Sequence, residues 1–183
     1  MNPPVPPGTA ERRRLSVSTL GLAAVIVVID QATKAVVRAT IPLHGSVTII
    51  PDLLDFTHVK NSGAAFGILN AADFPYKAAV IALIATAALV SIAVFAAGLS
   101  PHQKLARIGL ALILGGAAGN LVDRVTVGAV VDFVDVYWGT HHFWAFNVAD
   151  SAITVGVIGM LLDMLGVGNG KPATTGSVVP PEA

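Results

Sequence analysis

The chain has 183 residues, 54% hydrophobic and 12% charged, with 11 Lys+Arg against 11 Asp+Glu. Soluble domains carry roughly 25% charged residues, so this composition, with a mean hydropathy of +0.75, is that of a membrane protein. Balanced charge without a basic, aromatic-laced patch gives no basis for nucleic-acid binding, and the lack of cysteine excludes disulfides, thiolate metal sites and a cysteine nucleophile.

Taken in chain order, residues 1–14 form a Pro- and Gly-rich tail expected to be disordered and cytoplasmic. A first apolar segment follows at about 15–37, behind Arg12-Arg13-Arg14. It is expected to be an uncleaved first span and not a cleaved leader, because no small-residue cleavage site follows cleanly and Asp30 and Lys34 lie in its second half. Residues 39–76 are too long for a turn. Within them SVTIIP and LLDFTHVK, bounded by Gly45, Pro51 and Asn61-Ser62-Gly63, predict a short antiparallel sheet. Further apolar segments lie at 78–97, 105–122 and 148–165, each near the ~20 residues that cross a bilayer. Between the last two, in 123–146, GAVVDFVDVYW is strand-like, and Tyr137, Trp138 and Trp144 suit a membrane interface. Residues 167–183 form a second disordered cytoplasmic tail.

The expected fold is an all-α membrane protein. It has four transmembrane helices, a small extracytoplasmic β-sheet and an extracytoplasmic loop or helix, all in one domain at 15–166. Arg12–Arg14, Lys104 and Arg107 place both termini in the cytoplasm by the positive-inside rule, against a smaller opposing set of Arg38, Lys60, Lys77 and Arg124.

The polar residues gather on one side of this layout. Asp30 and Lys34, four apart, share a helix face and can pair. Whether that pair only makes a polar helix end tolerable or serves a site stays open, since intramembrane charges are functional candidates. In NSGAAFG, small residues around Asn61 and Gly63 form either a plain turn or a close approach to a ligand. In GGAAGNLVDR, Gly115 and Gly119 make a G-x-x-x-G that seats a neighbouring helix, while Asn120, Asp123 and Arg124 share one face at the helix end. Strand alternation points Asp132 and Asp135 of VVDFVDVYW to opposite sides. Asp150 in FNVADSAI is a fitting residue for a helix start, but that role explains neither Asn147 nor the second isolated carboxylate, Asp132.

Two carboxylates near a membrane surface point to an aspartyl dyad. Held close, they cannot both ionise readily, so one keeps its proton and polarises a carbonyl while the other takes a proton from water. No serine–lysine pair has a comparable setting. His141 and His142 diverge on a strand, so no metal site is expected. A proton-coupled transporter relaying through Asp30, Lys34, Asp123 and Asp150 is the alternative, but these groups cluster at one side instead of spanning the bilayer. A structural adaptor would not need two isolated carboxylates.

DQATK, NSGAAFG, GGAAGNLVDR, GAVVDFVD and FNVADSA, in this order, closely resemble the motifs of the lipoprotein signal peptidase (signal peptidase II) family, over about residues 30–153. The resemblance implies an aspartyl endopeptidase of the bacterial cytoplasmic membrane. Its substrates are prolipoproteins, cleaved just before a diacylglyceryl-modified cysteine. By motif match Asp132 and Asp150 are the catalytic pair. Asp30, Lys34, Asn61, Gly63, Asn120, Asp123, Arg124, Asn147 and Ala149 fall around the site: Asn61, Asn120 and Arg124 toward substrate, Asp30 and Lys34 in support. The sheet would cradle the substrate, with a flap-like element at about 137–146. The resemblance further implies a monomer among membrane lipids, with no cofactor and no metal, blocked by the cyclic peptide globomycin.

Overall fold

A run of apolar residues with no proline or internal glycine after Gly21 forms α1 (Val17–Thr40), about 36 Å long at ~1.5 Å per residue. Ser16 caps its start, its Oγ accepting from the Thr19 amide at 3.1 Å. Extended Ile41, followed by Pro42, ends it. The structure, a computed structural model, describes residues 15–63, 74–100 and 103–167. The expected tails, the end of NSGAAFG and residues 101–102 lie outside these or at their margins.

Three more helices follow: α2 (Lys77–Ala97), α3 (Lys104–Thr126) and α4 (Val148–Met164). α1, α2 and α3 are long and apolar enough to cross a membrane. α4, at 17 residues, spans about 26 Å. α2 is the peripheral member. Of its described residues only Ile81 is buried, and its hydroxyls are satisfied within the helix, Thr86 donating to Ala82 O and Ser91 to Ala87 O. An apolar helix with no protein partner around most of its surface is stable in lipid, not in water.

α3 is the central helix, buried along most of its length between α1 and α4. Its glycines set this arrangement. A Cβ on Gly115 would lie 2.7 Å from Ala23 O of α1, and one on Gly119 would lie 2.6 Å from an oxygen of Asp30. The G-x-x-x-G therefore seats α1, as its spacing predicts. Gly116, one residue round, does the same for α4, against Ala149 O.

Two predicted boundaries move. α1 runs to Thr40 rather than 37, and α3 to Thr126 rather than 122, because charges that look like helix ends in the sequence are paired inside the protein. Gly128, at φ +78, then reverses the chain.

The segments between α1 and α2 and between α3 and α4 build one antiparallel sheet in the order β1-β2-β3-β4: β1 (Ser46–Ile50), β2 (Leu54–Asn61), β3 (Val130–Trp138) and β4 (His141–His142). The first two are the predicted hairpin and β3 is the predicted strand. Between α3 and α4 the described residues form no further helix. A two-residue strand after Gly139 stands where a loop or helix was expected, a pattern too short to register as a strand in the sequence. Register places Val59 opposite Asp132 and Asn61 opposite Val130. An irregularity between Phe56 and Val59 breaks alternation, so the successive residues Thr57 and His58 are both buried. Val131 and Phe133 pack on Val37 and Ile41, fixing the sheet to the end of α1.

Candidate active site

Asp30 and Lys34 lie one turn apart on α1, and Asn120 and Asp123 nearly so on α3, so both pairs face the contact between these helices. Lys34 is fully buried and its ammonium meets three acceptors: Asp30 Oδ2 at 2.8 Å, Asp123 Oδ2 at 3.0 Å and Asn120 Oδ1 at 2.9 Å. That satisfies every N–H it has. The two carboxylates also tie the site to its neighbours, Asp30 through its second oxygen and Asp123 through the oxygen that meets Lys34. Asp30 Oδ1 accepts from the Ala149 amide of α4 at 3.0 Å, and Asp123 Oδ2 from the Val131 amide of β3 at 3.2 Å. Ala149 therefore belongs to the site through its backbone.

Two residues that the sequence reading did not place at the site complete this cluster. Gln31 Nε2 donates to Asp30 Oδ2, Gly119 O and Asp123 Oδ1 at 3.1, 3.0 and 3.3 Å, and Arg38 approaches Asp123 Oδ1 at 3.4 Å. Arg38 was findable, since 30, 34 and 38 form an i, i+4, i+8 stripe. Gln31 carried no such signal. His58 also went unremarked. Its Nδ1 lies 2.8 Å from Ile41 O, linking β2 to the end of α1.

Asn120 leads from this cluster to the next. Its carbonyl faces Lys34, which turns its NH₂ toward Asp150 Oδ1, at 2.8 Å. Asn147 acts similarly from the start of α4. Its Oδ1 accepts the Asp150 amide at 3.0 Å and Asp150 Oδ2 accepts the Asn147 amide at 3.3 Å, a reciprocal capping box. Its Nδ2 donates to Asp132 Oδ1 at 2.7 Å and also lies 3.3 Å from Val131 O and 3.2 Å from Asn120 Oδ1. Asn61 Nδ2 donates to the other oxygen of Asp132 at 3.1 Å, while its own Oδ1 accepts from the Gly63 amide at 3.0 Å. Arg124 reaches the Gly63 carbonyl and its own helix at Asn120 O, both at 3.3 Å.

The two carboxylates of the predicted pair are thus joined through Asn120 and Asn147, whose side chains touch each other. Asp132 is buried and Asp150 only partly so. Burial first, and then the charge of Asp150, push the Asp132 carboxyl up from its ordinary 3.8 to about 7, against the amides of Asn61 and Asn147 and the charge of Lys34. Asp132 therefore holds a proton near neutrality beside a second carboxylate, an arrangement suited to general acid–base work. Asp135, as alternation predicts, points away and pairs with His142 at 2.9 Å. No group of three His, Cys, Asp or Glu among the described residues could hold a metal ion.

The family model described as signal peptidase (SPase) II matches residues 22–166. A lipoprotein signal peptidase of Geobacter metallireducens is 48% identical over 142 residues, 78% of this chain and 86% of that protein. One of Pseudomonas aeruginosa is 42% identical over 146 residues, 79% and 86% of the respective chains. Among solved structures, a bacterial membrane enzyme determined in meso at 1.9 Å superposes with a TM-score of 0.73 at 28% identity, covering 83% of this chain and 95% of that one. A second, at 2.3 Å, gives 0.67 at 31% identity, with 87% and 94% covered.

Proposed function

This chain belongs to the signal peptidase II family and is a membrane peptidase; on that premise we propose that it removes the signal peptide from diacylglyceryl-modified prolipoproteins, cutting just before the lipidated cysteine with Asp132 and Asp150 as the catalytic dyad. The observation that carries this reading is the asparagine bridge, which holds two carboxylates from β3 and α4 beside one another with neutral donors on them among the described residues.

In this mechanism Asp132 carries the shared proton, consistent with its deeper burial and its raised pKa of about 7. Asp150, in the first turn of α4 and oriented by the Asn120 amide, is the base. Asp150 takes a proton from water as the water oxygen attacks the scissile carbonyl carbon. Asp132 gives its proton to the carbonyl oxygen, forming a gem-diol. Collapse returns a proton from the diol to Asp132 as the C–N bond breaks, and Asp150 passes its proton to the departing amine. Asn61 and Asn147 keep Asp132 aimed throughout, and Arg124 faces the substrate side from its hold on Gly63.

The layout we propose has α4 as a fourth span and both termini in the cytoplasm, with the sheet and dyad at the outer surface of the bacterial cytoplasmic membrane. The basic residues at 12–14, 104 and 107 support this orientation. Two acyl chains buried in the bilayer at ~0.8 kcal/mol per CH₂ would hold the lipidated cysteine at that depth, so the enzyme need only align the peptide. The chain is expected to act as a monomer without cofactor or metal.

The test is purified protein with a diacylglyceryl-modified precursor, with and without globomycin. Cleavage before the modified cysteine, blocked by globomycin, is expected. Asp132→Asn and Asp150→Asn should each lower turnover by at least about 10³-fold with an unchanged melting temperature. Retained turnover in either variant removes the dyad.

A further inference from the structure

A second polar cluster occupies the far end of the sheet, and the mechanism above does not use it. Asp55 of β2 and Asp135 of β3 are direct cross-strand partners. Like charges in that position repel. The imidazole of His142 closes on Asp135, with Nδ1 2.9 and 3.1 Å from its two oxygens. Its ring stacks on Tyr137, centroids 4.9 Å apart and planes 19° apart, and the Tyr137 hydroxyl donates to Asp55 at 3.2 Å. The groups facing His142 are therefore Asp135 and Tyr137 of β3, Asp55 of β2 and, beyond Tyr137, Asp52 of the β1–β2 turn, with His141 beside it in the chain.

This cluster lies at one end of the β3–β4 hairpin, whose other end, after a shift of register, adjoins the dyad. β4 pairs only His142 with Tyr137 and His141 with Trp138. Beyond it the Phe143 amide donates to Val136 O at 2.8 Å. Phe146 exchanges bonds with Val134 at 2.8 and 3.1 Å and accepts from the Phe133 amide at 2.9 Å. The next residue is Asn147, whose amide is on Asp132. A two-residue strand has little cohesion of its own, so side chains decide whether the ladder starts closed.

We propose that His142 is a positioning residue: clasped to Asp135, it closes the β3–β4 hairpin and thereby keeps Asn147 seated on Asp132, more firmly when the imidazole is protonated. The protonated ring makes a charge-assisted bond to Asp135 and a cation–π contact with Tyr137, whereas the neutral ring makes one ordinary hydrogen bond. The consequence for turnover rests on the dyad reading, but the clasp does not.

Both tryptophans of the chain, Trp138 and Trp144, lie in this hairpin, so the intrinsic fluorescence of the full-length protein reports on it directly. The expected result is a fluorescence transition on acidification of the wild type. It should persist in His141→Phe and in inactive Asp132→Asn, and vanish in His142→Phe and Asp135→Asn. In the cleavage assay His142→Phe should lower kcat by about fivefold or less with KM unchanged, and Asp135→Glu should retain wild-type kcat. A flat wild-type curve, an unaltered curve in His142→Phe, or loss of the transition in Asp132→Asn overturns the clasp. Turnover retained by Asp132→Asn with the fluorescence pattern intact overturns the dyad alone.

Discussion

Two pairs of aspartates share the interior where α1, α3, β3 and α4 meet, and one asparagine joins them, yet their surroundings are opposite in kind. Asp30 and Asp123 hold the ammonium of Lys34 between them, with Arg38 at the edge. Two carboxylates and two cations cancel. Among the described residues, Asp132 and Asp150 receive amide donors, from Asn61, Asn120 and Asn147. An amide orients a carboxylate without neutralising it, so the second pair keeps its mutual repulsion and with it a proton that can move. The same residue type is a rivet in one pair and, in the proposed mechanism, a reagent in the other, and the partner chemistry makes the difference.

Breaking the first pair should have the largest effect on the fold. Lys34→Met leaves two buried carboxylates without their cation and should cost about 3–5 kcal/mol of stability, seen as a large fall in melting temperature. A variant that melts like the wild type would mean that the cluster is not the rivet described. Asn147 sharpens the comparison because it serves fold and chemistry at once. Asn147→Ala should lose about 1 kcal/mol of helix capping and about 10²-fold in kcat. Asn147→Ser restores the cap without the amide, so melting temperature should recover while kcat stays low; joint recovery would reduce Asn147 to a cap. The smallest effect is on pH dependence. The Asp132 carboxyl, raised to about 7, is protonated below that pH, so kcat should fall as pH rises through about 7. Asn61 favours the ionised form, so Asn61→Leu should raise that pKa further and move the alkaline limb upward by about one unit or less. A downward move would put the working proton elsewhere.

The helices were legible because lipid-facing surface is written as continuous apolar sequence, and the β1–β2 hairpin and β3 because their alternation sits between clear turn residues. Where the reading fell short, the cause was distance along the chain. Asp123 and Arg124 look like the end of α3, yet the helix continues because Asp123 meets Lys34 of α1. Gln31 lies one position from Asp30 and gives no periodic signal, because its acceptors Gly119 O and Asp123 are supplied by a different helix. The dyad residues stood out as isolated carboxylates in apolar runs. The family motifs, more than spacing, singled out Asn147 as their companion, and only the fold shows that its one amide group both starts α4 and reaches Asp132.

That dual use of Asn147 bears on how the protein matures. Asp132 lies before the final helix and Asp150 within it, and the amide spanning them is what begins that helix. On the proposed mechanism, a nascent chain still lacking α4 has one member of the dyad, no base and no bridge, and it is chemically silent. On the proposed dyad, proteolytic competence arrives only when α4 docks against Gly116 and Gly109, so one packing step both completes the site and arms the enzyme.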